Sequence, residues 1–351
     1  MDQFVCVRIV QANAMDLSLF QFDYDLTFAA FFMNADKTIY GRFGTRSDTK
    51  DVTRDISIEG LRRALQAALK WHKGYPTNKS LFRDKRRAES EYKTPDEYPS
   101  LRGKFKAILN YDKNVTQSCM HCHQIHNARQ ELYRSKRKPL PDHIIYPWPM
   151  PSVIGLSLDP RKIASVRKVT SNSIADRVGF RRGDQIELLN GQPILSIADV
   201  QWVLHNARDG DQIKVQVVND GQERNLVVPL KAGWRSNDEI SWRTTSWNLR
   251  RIAAGGLQLR QLPEAARRKA GIADTRMALI ANYVGQYGAH AVAKRAGFRK
   301  GDVIVAFDGR TDLMTETQLF EHVLKSRVPS AMVDVTVLRG NRRIKMRLRM
   351  Q

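Results

Sequence analysis

The sequence predicts a modular chain that joins an α/β region to mostly-β modules. Three observations carry that expectation. The chain has 351 residues, more than one ordinary core supports. One motif occurs twice in the C-terminal two-thirds. The first 75 residues follow a different pattern, short apolar strands and then a helix.

The repeat comes first. Residues 179–191 read GFRRGDQIELLNG and residues 297–309 read GFRKGDVIVAFDG, an offset of 118. A helix start precedes each copy, at Ser173 to Val178 and at Ala291 to Ala296. A helical stretch follows each, Ile197 to Asn206 and Thr317 to Ser326. Each copy then closes on an alternating strand, Ile213-Val215-Val217 and Val333-Val335-Val337. The Gly of each Gly-Asp pair is expected in a turn with positive φ. Asn190-Gly191 and Asp308-Gly309 are tight-turn signals.

This layout resembles the PDZ domain of Do-like bacterial proteases, over about 152–232 and again over 252–350. The resemblance implies binding of protein or peptide C-termini as an added strand, with the carboxylate on a hydrophobic-Gly-hydrophobic loop. In the first copy that loop is Ile154-Gly155-Leu156-Ser157, and Ile197 and Gln201 line the groove from the helix. In the second copy the loop is Gly255-Gly256-Leu257-Gln258, with Thr317 and Glu321 on the helix. Gly255 lacks the apolar side chain of the pattern, and Glu321 would repel a carboxylate. Leu156, Leu204 and Leu324 read as core packing before they read as ligand contacts. The 150 residues ahead of the first copy are too few for a trypsin-like double barrel. No Gly-x-Ser-x-Gly occurs, so no proteolytic centre is expected.

In the N-terminal part, Phe4 to Val10 reads as a buried strand that encloses Cys6 as an inert thiol. Thr27 to Asn34 and Thr38 to Gly44 read as a hairpin across Ala35-Asp36-Lys37. Ser57 opens a helix with Leu61, Leu65, Ala68 and Leu69 on one face, ending near Gly74. Strand, hairpin and helix resemble the C-terminal half of a thioredoxin-like fold. The whole order resembles a bacterial family of thioredoxin-like/PDZ (seleno)proteins, truncated at the N-terminus. Two departures stand out: Leu26 replaces the family's cis-proline, and its upstream Cys-x-x-Cys is absent. The expected boundaries are a partial thioredoxin-like region at 1–75, a basic linker with a helical Cys-x-x-Cys-His segment at 76–150, PDZ modules at 152–232 and 252–350, and a linker at 233–251.

The segment with the most chemistry is Ser118 to His126, SCMHCHQIH. Cys-x-x-Cys-His is the attachment motif for haem c: Cys119 and Cys122 supply thioethers and His123 the iron ligand. A helix from Ser118 to about Arg134 would place the thiols one turn apart. Met150, in the Pro-rich run Tyr146 to Pro151, is the expected sixth ligand, with His143 next. A thiol redox pair, or zinc held by Cys119, Cys122, His126 and one of His121 or His123, stands beside that reading. So does a motif that arises by chance.

Net charge is +22, with basic clusters at Arg83 to Lys93 and Arg129 to Lys138. A solvated basic face accounts for this, because no zinc-finger or RNA-binding signature accompanies it. No apolar run is long enough to cross a membrane, and no export signal is visible. Haem attachment and stable thiol pairing both belong outside the cytoplasm, so an extracytoplasmic (periplasmic) location is expected. The function expected is binding of peptide or protein ends, coupled to a redox centre. A thiol oxidoreductase that recruits substrate through its PDZ modules is the enzyme alternative, and a structural adaptor the third.

Overall fold

A computed structural model describes residues 3–48, 51–87, 90–112 and 115–351. Two of the positions read above, Ala88 and Glu89 in the first basic cluster, lie outside these residues. The N-terminal elements are β1 (Ala30–Met33), β2 (Ile39–Phe43), α1 (Ile58–His72), α2 (Val115–Ser118), α3 (His123–Ser135) and α4 (Asp142–Ile145). Then follow β3 (Leu156–Asp159), β4 (Ser165–Val169), α5 (Ile174–Val178), β5 (Gln185–Leu189), β6 (Gln192–Pro193), α6 (Ile197–Asn206), β7 (Gln212–Asn219) and β8 (Gln222–Pro229). The last are α7 (Ser246–Ala254), β9 (Leu257–Gln261), α8 (Glu264–Lys269), β10 (Leu279–Val284), α9 (Val292–Arg295), β11 (Val303–Phe307), α10 (Glu316–Ser326), β12 (Met332–Arg339) and β13 (Arg342–Arg349). The chain divides into two compact units, 1–129 with 146–238 and 130–145 with 239–351. Among the described residues no helix is long and apolar enough to cross a membrane.

In the first unit β1 and β2 form the expected hairpin. Its turn closes with Lys37 at φ 66°, its N–H donating to Asn34 O. The strand expected at Phe4 to Val10 does not form. Val5 is 94% exposed and Cys6 is exposed, which corrects the reading of a buried strand and a buried thiol. The N-terminal sheet therefore has two strands, not three. Phe32, Tyr40 and Phe43 of the hairpin bury against Ala64 and Ala68 of α1, with Phe82 and Leu195 closing the cluster.

Helix α1 begins where its cap predicts. The Ser57 hydroxyl accepts from Gly60 N–H at 2.9 Å and donates to Pro160 O, also at 2.9 Å. Gly60 is a weak helix former placed in the first turn because the chain beyond β3 passes close by. A Cβ there would sit 2.1 Å from Pro160 O. Gly60→Ala is therefore expected to destabilise the unit by about 1–3 kcal/mol, where helix propensity alone would predict a gain. Thermal unfolding of the variant measures the sign.

A sheet of order β3-β4-β5-β7-β8, with β6 on β5, builds the rest of the unit; every pairing is antiparallel. The repeated motif supplies its corner. Gly183 takes φ 92°, and the neighbouring Asp184 is fully buried. Asp184 accepts the Arg181 N–H at 2.8 Å and both oxygens meet Arg224 at 2.6 Å. The motif's Asp is thus a buried acceptor neutralised by a terminal-hairpin arginine.

In the second unit the sheet runs β9-β10-β11-β12-β13, again antiparallel. Its corner repeats the first: Gly301 takes φ 90°, Asp302 accepts the Arg299 N–H at 2.9 Å, and Arg339 binds both carboxylate oxygens at 2.7 and 2.8 Å. Arg224 lies on the outer strand of its hairpin and Arg339 on the inner one, so the same solution is reached from opposite arms. Both tight turns form as expected, with positive φ at Asn190-Gly191 and Asp308-Gly309.

Candidate functional site: two grooves and a cysteine–histidine loop

The expected loop of the first unit closes a short 3-10 turn at Pro151–Ile154 and feeds β3. Gly155 takes φ 92°, and a Cβ there would lie 2.1 Å from Ser173 Oγ. A larger residue at 155 would therefore clash with the Ser173 side chain at a left-handed backbone position. Among the described residues, strand β3 is an edge of its sheet, with no strand of the sheet on its outer side. Leu156 and Leu158 point into the core, while Ser157 is half-buried and accepts from Arg167 at 3.0 Å. Leu204 and Leu324 are core residues too.

The helix side differs from expectation. Ile154, Ile197 and Gln201 are buried. The Gln201 side chain donates to Trp148 O at 2.9 Å and approaches the Met150 sulfur at 3.2 Å. Its Oε1 accepts from Thr45 Oγ1 at 2.6 Å. The side-chain space that sequence leaves open for a ligand is filled by the chain's own Thr45, Trp148 and Met150. Spacing alone gives no signal for this, since Thr45 lies 156 residues from Gln201.

Helix α6 carries a second feature that patterning does not reveal. Asp199, fully buried in its first turn, pairs with Lys85 at 2.9 Å. It also accepts backbone N–H groups of Leu195 at 3.0 Å and Arg42 at 3.2 Å. Burial pushes the pKa values of both Lys85 and Arg42 down, the latter to about 10. Arg42 stacks on Trp202 with its guanidinium 4.1 Å from the ring centre.

In the second unit, Leu257 opens edge strand β9 and Gly256 precedes it. A Cβ on Gly256 would sit 1.9 Å from His290 O, so its glycine is fixed by packing. The Leu259 N–H donates to the carboxylate of Glu316 at 2.7 Å. Glu316 also binds Arg250 at 2.6 Å, both side chains 3–4% exposed. Thr317 donates to Glu239 at 2.8 Å. Glu321 accepts from Lys325 at 2.6 Å. Glu316 of α10 thus reaches β9 through the Leu259 N–H while paired with Arg250 of α7.

The Cys-x-x-Cys-His segment departs from a single helix. α2 ends at Ser118, Cys119 to Cys122 form a loop, and α3 starts at His123. This corrects the expectation of two thiols one helical turn apart. Asn13 holds the loop: it accepts from Met120 N–H at 2.7 Å and donates to Ser118 O at 2.8 Å. Met120 between the cysteines is buried, and both thiols are partly buried. Burial pushes the Cys122 thiol up and the His123 imidazole down, the latter opposed by the Asp25 charge. The Met150 sulfur accepts from Gln201 Nε2 at 3.2 Å and from Thr45 Oγ1 at 3.4 Å, against the core of the first unit. His143 is exposed, on α4. His126, which the zinc reading placed with the cysteines, faces Asp23 at 3.6 Å.

Comparison with known proteins decides one part of this. The PDZ domain family model matches residues 152–230. Residues 152–230 are a PDZ domain. The chain is 27% identical over 189 residues to a probable periplasmic serine endoprotease DegP-like of Pseudomonas savastanoi pv. phaseolicola, covering 53% of this chain and 37% of that protein. It is 25% identical over 178 residues to a probable periplasmic serine protease do/HhoA-like of Haemophilus influenzae, covering 51% and 33%. About half of the chain is thus homologous to DegP-like periplasmic proteases, and the match spans little more than a third of their length. Among solved structures, the serine endoprotease from Yersinia pestis is 25% identical with a TM-score of 0.18, covering 19% of this chain and 25% of that one. The matched residues include β3, the Ile154-Gly155-Leu156 turn and α6.

Proposed function

We propose that the protein is a non-proteolytic, extracytoplasmic binder of extended peptide ends, and that its PDZ domain adds the peptide as a strand to β3. The observation that carries this is the position of β3: an edge strand next to a glycine loop held at positive φ, with no strand of the sheet on its outer side. The DegP-like relatives support the location. The repeated Gly-Asp corner and the shared strand order support reading 252–350 as a second PDZ module. Its groove is closed by Arg250 and Glu316, so the first module carries the binding.

Met150, Thr45 and Trp148 fill the space beside Gln201 of α6, so a ligand's last side chain must displace them. That displacement reduces the observed affinity. Met150→Ala should then strengthen binding of a peptide with an apolar, free-acid C-terminus by roughly tenfold, worth about 1.4 kcal/mol. Fluorescence anisotropy with an unbiased C-terminal peptide set tests this. Methylating alternate backbone nitrogens of a bound peptide should abolish its binding. Unchanged affinity of N-methylated peptides, or equal binding of amidated and free-acid forms, contradicts strand addition with carboxylate capture.

A further inference from the structure

We propose that Asp23, Asp25 and His126 form a site for a divalent ion of the zinc class. The site lies on the PDZ-bearing unit, is independent of peptide binding, and uses no cysteine.

One ligand atom from each of the three residues lies within 4.8 Å of the others, and all three residues are buried. Among the described residues the Nε2 of His126 has no hydrogen-bond partner, although its side chain is only 5% exposed. A buried imidazole nitrogen without a partner is costly, and such atoms are rare in folded proteins. It is aimed at Asp23 Oδ1, 3.6 Å away. That is too long for a hydrogen bond. It is close to the separation of about 3.3 Å between two donors that share a tetrahedral ion at 2.0–2.1 Å.

The local chain builds the arrangement. The Asp25 N–H donates to Asp23 Oδ1 at 3.1 Å, so a tight turn brings the two carboxylates together. Tyr24 between them sends its hydroxyl to Phe20 O at 3.1 Å and sets its ring 5.2 Å from the His126 ring. His126 is fixed on α3. His123, three residues earlier on α3, shares that helix face. Two carboxylates and an imidazole form an oxygen–nitrogen set suited to zinc and its first-row neighbours.

The test uses the full chain, stripped with chelator and titrated with zinc chloride and, separately, cobalt(II) chloride. One equivalent of zinc should bind. The cobalt form should show visible ligand-field bands with no near-ultraviolet thiolate-to-cobalt charge transfer. This readout needs no variant and so does not depend on any variant folding. Asp25→Asn and His126→Gln, each checked for unchanged far-ultraviolet circular dichroism, should weaken zinc roughly tenfold or more. The double variant Cys119→Ser/Cys122→Ser should keep wild-type affinity. A thiolate charge-transfer band, loss of binding in the cysteine variant, retention of full affinity in Asp25→Asn and His126→Gln, or no bound zinc at all each overturns the proposal.

Discussion

Asp199→Ala should be the most damaging single change in the first unit. The side chain is fully buried and pairs with Lys85, itself fully buried, at 2.9 Å. Removing the carboxylate leaves the Lys85 ammonium and the nearby Arg42 guanidinium in the interior without their counter-charge. It also strips an acceptor from the backbone N–H groups of Leu195 and Arg42. Breaking a buried pair in this way costs about 3–5 kcal/mol, or roughly 10 °C in a unit of this size. Asp199→Asn keeps an acceptor and loses only the charge. Combining it with Lys85→Met removes both charges and should recover most of the loss. Chemical denaturation of the four members of that cycle separates the ion pair from the hydrogen bonds. A double variant as unstable as Asp199→Ala would show that the pair is not the source.

Glu316→Ala should do the same in the second unit. There Arg250, 3% exposed, would lose the 2.6 and 3.0 Å bonds to the carboxylate. Ser246 Oγ and Ser241 O remain as its partners. The Leu259 N–H on β9 would lose its acceptor as well. The expected cost is again about 3–5 kcal/mol. Hydrogen exchange should show it as lost protection in β9 and β10, because Leu259 lies in the ladder that pairs these two strands. Unchanged exchange there would mean that the carboxylate does not hold the strand.

Sequence disclosed the repeat and what local chemistry dictates. The positive φ of Gly183 and Gly301, the hairpin turn at Lys37 and the Ser57 cap all follow from residue type at a fixed offset. Phe4 to Val10 has the composition of a strand, yet strand formation needs a partner ladder and an apolar face to cover, and Val5 and Val7 meet solvent. The break between α2 and α3 was hidden because Ser118 is a good cap. The register is set instead by Asn13, 107 residues from Met120. The same reason hid Asp23 and Asp25: an Asp-x-Asp is common, and only tertiary folding brings it to His126. The pocket under α6 looked open because the residues that fill it, Thr45 and Met150, carry no groove signature.

The central claim is that β3 receives a peptide strand, and hydrogen exchange across residues 152–170 measures it most directly. With a saturating free-acid peptide, amides of Leu156 to Asp159 should exchange markedly more slowly than in the free protein, with little change in β9. Bound peptide that leaves these amides unprotected, or that protects β9 instead, would contradict the account.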